Sequence, residues 1–158
     1  MNASKRWKLA SLVIAAVVLL LDQISKGWAV SALTVGSSRG WVPGLIELEL
    51  VYNRGAAFSL FSGATQVLAL ISAAVALLLV VWILRLRHGR ALQLLAAGLL
   101  LGGTLGNGLD RWRLGAVVDF LALVPIHFPV FNLADVAINL AVVSFSLDLL
   151  RQHGSKEG

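Results

Sequence analysis

Five ionisable or amide side chains in the second half of the chain could do chemistry together: Asn107, Asp119, Asn132, Asp135 and Asn139. Two carboxylates held close cannot both ionise comfortably; one keeps its proton while the other acts as a base, and the pair titrates as a unit. Such a dyad activates a water for attack on a peptide carbonyl, and the protonated partner polarises that carbonyl, so no covalent intermediate is needed. Neighbouring asparagines orient the carboxylates without adding charge.

Other chemistries find less support. His88, His127 and His153 are scattered, and no Gly-x-Ser-x-Gly occurs, which argues against a Ser-His-Asp site and against a metal centre. There is no cysteine, so thiolate catalysis, disulfides and thiolate metal sites are excluded. Nothing calls for a cofactor. Ser25 and Lys26 supply the elements of a serine-lysine dyad, but adjacent positions on a helix point about 100° apart and do not face each other.

The elements that must position these groups are membrane helices. The chain has 158 residues, 58% hydrophobic and 13% charged, with a mean hydropathy of +0.86, outside the soluble globular range. Four runs approach the roughly 20 residues needed to cross a hydrocarbon core: about Lys8 to Val30, Thr65 to Leu84, Ala91 to Leu109, and Phe131 to Leu150. The expected fold is mainly α, a four-helix transmembrane bundle in a single membrane domain spanning 1–158. Lys5, Arg6, Lys8, Arg85, Arg87, Arg90, Arg151 and Lys156 cluster at the two termini and in the second connection, which the positive-inside rule assigns to the cytoplasm. The loops at about 31–64 and 110–130 then face outward. This bias accounts for most of the net charge of +5, and no nucleic-acid partner is needed to explain it. The basic start followed by an apolar run is similar to a secretory signal, but Asp22 and Lys26 interrupt it and three further spans follow, so an uncleaved first span is expected.

In the first outer loop Ile46, Leu48, Leu50 and Tyr52 alternate with Glu47, Glu49, Val51 and Asn53, the period of a half-buried strand, after a turn at Val42 to Gly44. A small β-sheet or platform is expected there. Gly98, Gly102 and Gly106 recur every four residues, a spacing that lets a neighbouring helix approach and reads as packing.

Three spans carry a polar stripe: Asp22, Ser25 and Lys26; Thr104, Asn107 and then Asp110 or Arg111; Asn132, Asp135 and Asn139. Counted at about 1.5 Å per residue, all three lie toward the outer face, where the loops add Asn53, Arg54 and Asp119. Asp22 with Lys26, and Asp110 with Arg111, also fit simple neutralising pairs. Asp119 and Asp135 have few basic neighbours, and an ionisable group at membrane depth is a functional candidate by default.

At these residues the sequence resembles the lipoprotein signal peptidase family, signal peptidase II, a family of integral-membrane aspartic proteases. The resemblance is carried by DQISK at Asp22 to Lys26, YNRGAAFS at Tyr52 to Ser59, GGTLGNGLDR at Gly102 to Arg111, VVDF at Val117 to Phe120 and FNLAD at Phe131 to Asp135. It implies cleavage of a prolipoprotein on the amino side of a diacylglyceryl-modified cysteine, at the outer face of the bacterial cytoplasmic membrane. It further implies Asp119 and Asp135 as catalytic residues, supported by Asp22, Lys26, Asn53, Gly55, Asn107, Asp110, Arg111, Asn132 and Asn139. Membrane lipid and a globomycin-type inhibitor are the other implied partners. The first outer loop, with its strand and RGAAF segment, is expected to form a platform and lid above the site.

A proton-coupled carrier would also bury Asp, Asn and Lys, but near the midplane and with internal repeats. A scaffold packed through its glycines would not need the carboxylates.

Overall fold

The computed structural model describes residues 3–55, 64–86, 89–126 and 128–154. The RGAAF segment beyond Gly55, with any lid it forms, lies outside the described residues, as do His88 and His127.

Among the described residues, four helices are long and apolar enough to cross a membrane: α1 (Ala3–Ala32), α2 (Thr65–Arg85), α3 (Ala91–Leu114) and α4 (Leu133–Gly154). The described residues also form three strands, β1 (Ser38–Val42), β2 (Ile46–Asn53) and β3 (Val117–Leu123), in one antiparallel sheet of order β1-β2-β3.

Helix α3 packs against α1, α2 and α4, and more than half of its apolar window is buried. Its glycines explain the central place. A Cβ on Gly98 would come within 2.7 Å of the Ser11 carbonyl oxygen, and one on Gly102 within 2.7 Å of the Ala15 carbonyl oxygen, so α1 lies directly on that face. Gly103 faces the other way, where a Cβ would meet the Ala134 carbonyl oxygen at 2.6 Å. Helices α1, α2 and α4 turn Val13, Leu20, Leu70, Leu78, Val142 and Leu150 outward, an apolar surface suited to lipid.

At the end of the bundle carrying both termini, polar groups tie the helices together. The Lys8 ammonium donates to the Leu84 carbonyl at 2.7 Å, Ser11 Oγ donates to the Leu94 carbonyl at 3.0 Å, and Arg90 forks onto the Asp148 carboxylate at 2.7 to 3.0 Å. The carboxylate holds the exposed Arg90 guanidinium above its ordinary range.

The sheet sits at the opposite end. Pro43 and Gly44 make the turn between β1 and β2; Gly44 takes φ +69°, and the Leu45 N–H donates back to the Val42 carbonyl at 3.0 Å. Leu48 and Leu50 of β2 point into a core shared with Ala29, Val118, Phe120 and Leu121. The alternation does not run to the end of the strand. The register shifts between Leu48 and Val51, and Tyr52, expected on the buried face, is exposed.

Two stretches read as one outer loop fold otherwise. Helix α3 continues beyond Leu109 to Leu114, because Asp110 finds internal partners, and it ends on Gly115 in the left-handed conformation at φ +68°. The next residues form β3, so the sheet takes strands from both outer connections. Beyond β3, Leu121 and Phe131 exchange backbone hydrogen bonds at 2.9 Å, which returns the chain to the start of α4.

Candidate active site

Asp119 and Asp135 reach one site from different elements: Asp119 from the middle of β3, opposite Val51 of β2, and Asp135 from the first turn of α4. Local chemistry fixes Asp135. Asn132 immediately precedes α4, and its Oδ1 accepts the Asp135 backbone N–H at 3.0 Å while Asp135 Oδ2 accepts the Asn132 N–H at 3.2 Å. This reciprocal arrangement is a capping box, and the helix N-terminus favours an acidic side chain there. A carboxylate is therefore well placed at a depth where it would otherwise be costly.

Both aspartates meet through asparagines. Asn132 Nδ2 lies 2.6 Å from Asp119 Oδ1, and Asn53 Nδ2 donates to Asp119 Oδ2 at 3.0 Å. Asn107 Nδ2 donates to Asp135 Oδ1 at 2.8 Å, and its Oδ1 accepts from Asn132 Nδ2 at 3.0 Å. Gly55 contributes its N–H to Asn53 Oδ1 at 3.0 Å, which leaves the Asn53 amide to face Asp119. Asp119 is 2% exposed, and burial pushes its carboxyl up to about 7, more strongly than its asparagine partners pull it down; Asp135 adds to the rise.

The Asp22 and Lys26 stripe of α1 enters from below. Lys26 Nζ lies 2.8 Å from Asp22, 2.9 Å from Asp110 and 2.9 Å from Asn107 Oδ1. The pairing of Asp22 with Lys26 is thus real but not self-contained, and Asp110 pairs with Lys26 rather than with Arg111. Arg111 instead reaches the Asn107 and Gly55 carbonyls at 3.4 Å, and its buried Nε has no partner among the described residues. Ser25 Oγ donates to the Asp22 backbone carbonyl at 2.8 Å, so Ser25 and Lys26 make no dyad. Thr104 is buried in α3 apart from this network, and Asn139 lies one turn along α4, donating to the Asp135 carbonyl at 2.9 Å.

Sequence reasoning missed Gln23. Its Nε2 donates to Asp110 Oδ1 at 2.9 Å and contacts Asp22 Oδ2 at 3.2 Å. Only its position beside Asp22 could have drawn attention to it.

A cavity of about 450 Å³ opens on these groups, lined at one end by Asn53, Asn107, Arg111, Asp119 and Asp135. It continues along α4 past Val136 and Leu140 to Val143, about 12 Å at a helical rise of 1.5 Å per residue. Leu140 and Val143 are themselves exposed. A polar head and an apolar trough share one space.

The family described as Signal peptidase (SPase) II matches residues 14–151. The chain belongs to the signal peptidase II family. It is an aspartic peptidase family. Among its relatives, the lipoprotein signal peptidase of Parasynechococcus marenigrum (strain WH8102) is 56% identical over 136 residues, covering 86% of each chain. That of Synechococcus sp. (strain RCC307) is 54% identical over 152 residues, covering 95% of this chain and 99% of the relative. A bacterial membrane enzyme solved by the in meso method at 2.3 Å resolution superposes with a TM-score of 0.87 at 29% identity, covering 93% of this chain and 91% of that one. A signal peptidase II is thus a multi-pass membrane protease here.

Proposed function

We propose that this chain removes the signal peptide from prolipoproteins, cleaving on the amino side of a diacylglyceryl-modified cysteine, with Asp119 and Asp135 as the catalytic pair. The observation that carries this reading is the position of two asparagine-bridged carboxylates at the head of an apolar trough. A substrate with two acyl chains arrives from the bilayer and needs hydrocarbon and water at adjacent points. The trough along α4 receives an acyl chain, while the scissile bond lies across the aspartates.

Asp119, with its carboxyl near 7, holds the proton. Asp135 takes a proton from the attacking water and Asp119 donates to the carbonyl oxygen; as the tetrahedral intermediate collapses and the C–N bond breaks, Asp135 passes its proton to the leaving amine and Asp119 takes one back from the intermediate's hydroxyl. Asn53, Asn107 and Asn132 hold both carboxylates through these steps, and Arg111 lines the same cavity while reaching the Gly55 carbonyl. Both termini lie in the cytoplasm and the site faces outward, as the distribution of Lys and Arg supports. A globomycin-type cyclic peptide would compete for the same cavity.

The test is incubation of the purified protein with a prolipoprotein carrying or lacking the diacylglyceryl group, beside Asp119→Asn and Asp135→Asn. Cleavage of the lipidated form by the wild type alone is expected. Wild-type rates in either variant would overturn the dyad, and equal cleavage of the unlipidated form would overturn the substrate class.

A further inference from the structure

Beneath the two aspartates lies a second charged cluster that proteolysis does not consume. Asp22, Lys26 and Asp110 are each 3% exposed or less, and a buried ion group of this kind is weak evidence for stability, because desolvation offsets much of the attraction. Where its remaining hydrogen bonds go is more informative. Asp22 Oδ1 accepts the backbone N–H of Ala134 at 3.0 Å, and Asp110 Oδ2 accepts that of Val118 at 3.1 Å. Ala134 is the residue before Asp135, and Val118 is the residue before Asp119.

One ammonium therefore joins two carboxylates, and each carboxylate grips the backbone one residue upstream of one member of the dyad. Gln23 ties the same two carboxylates from the side. A further arm runs from Lys26 through Asn107 to the Asp135 carboxylate at 2.8 Å. Strand β3 and the start of α4 are joined directly by the Leu121–Phe131 backbone hydrogen bonds and by Asn132; the Lys26 cluster adds a second tie, from α1 and α3, to the backbone beside each aspartate.

We infer that Lys26 is a positioning residue: with Asp22 and Asp110 as its two arms, it sets the separation of Asp119 and Asp135. The inference rests on the proposed reading of those two as catalytic. A misplacement of about 1 Å can cost roughly a hundredfold in rate, so the arms act on turnover rather than on substrate binding.

The test measures kcat, KM, the pH–rate profile and the melting temperature for Asp22→Asn, Asp110→Asn, the double variant and Lys26→Arg, with a lipidated peptide substrate in detergent. The asparagines keep volume while loosening one arm each; arginine keeps the charge and changes its reach. Expected are losses of about ten- to a hundredfold in kcat with KM within about threefold. The double variant should be no slower than the slower single, because both arms control one distance. The two limbs of the pH profile should draw together as the carboxylates separate and couple less. Multiplying losses, or a lowered melting temperature with kcat and pH profile unchanged, would overturn the inference and leave the cluster a role in the fold alone. Should a charged-site variant fail to fold, Gln23→Leu loosens the same two carboxylates and must show the same kcat loss. Failure of the dyad itself reads out separately, as cleavage by Asp119→Asn or Asp135→Asn.

Discussion

Asn132 and Asp135 cap each other across the start of α4, each accepting the other's backbone N–H with its side chain. The same Asn132 side chain also holds Asp119 at 2.6 Å. A helix-terminus motif and a contact to one member of the proposed catalytic pair therefore share one residue.

These two roles separate by substitution. Asn132→Ala should lose about 1 kcal/mol of capping and lower kcat by about a hundredfold through loss of the Asp119 contact. Asn132→Ser restores a capping oxygen but no amide donor. Its melting temperature should recover toward wild type while its activity does not; parallel recovery of both would show that the amide contact is idle.

Burial of Asp119 makes stability depend on pH. Its folded value of about 7 lies above the ordinary 3.8, so the folded protein holds this proton more tightly than the unfolded chain. The resulting stability is fully present below about pH 4 and is lost as pH rises toward 7, by on the order of 4 kcal/mol at most. Asp119→Asn removes the penalty. It should melt above the wild type at pH 8, by less or not at all at pH 4, while losing cleavage; thermal scans across that range decide it.

The mechanism proposed for Asp119 and Asp135 needs one proton on the pair. Cleavage should fall as pH rises above about 7, tenfold per unit once Asp119 has lost its proton. A profile of kcat against pH that stays flat to pH 9 would show that Asp119 is not the proton donor.

Two glycines of α3 should respond differently to the same added methyl group. A Cβ on Gly102 crowds Val18 and the Ala15 carbonyl of α1, whereas one on Gly103 crowds the Ala134 carbonyl at 2.6 Å, next to Asp135. Each alanine should cost about 1 to 3 kcal/mol. Gly103→Ala should in addition lower the specific activity of the folded fraction, measured after melting temperatures have been matched by temperature.

Ser25→Ala should cleave at close to the wild-type rate, since Ser25 Oγ is bonded back to the Asp22 carbonyl and its loss falls within about 0.5 kcal/mol. A loss of a hundredfold would return the serine to the mechanism.

Hydropathy made the four helices legible, and the alternation from Ile46 made β2 legible, because each has one physical environment along its length. Strand β3 was not legible. Its residues Val117 to Leu121 are buried on both faces, so VVDFL shows no period of two. The end of α3 was misplaced for a related reason: Asp110, Arg111 and Arg113 read as loop, and nothing local reveals that Lys26 and the Val118 N–H receive Asp110. The polar stripes at Asp22, Asn107 and Asp135 were visible as spacings. Gln23 was hidden because a neutral amide one position from Asp22 falls off the i, i+3, i+4 face.

The burial of α3 bears on how freely this chain can drift. The apolar residues of α1, α2 and α4 that face outward need only remain apolar, since lipid accepts leucine, valine and isoleucine alike. Helix α3 is hemmed in by α1 on Gly98 and Gly102 and by α4 on Gly103, and it also carries Asn107, Asp110 and Arg111. In a saturation library its tolerated alphabet should shrink to nearly one residue at those positions, while the outward faces of the other three helices interchange aliphatic side chains with little penalty.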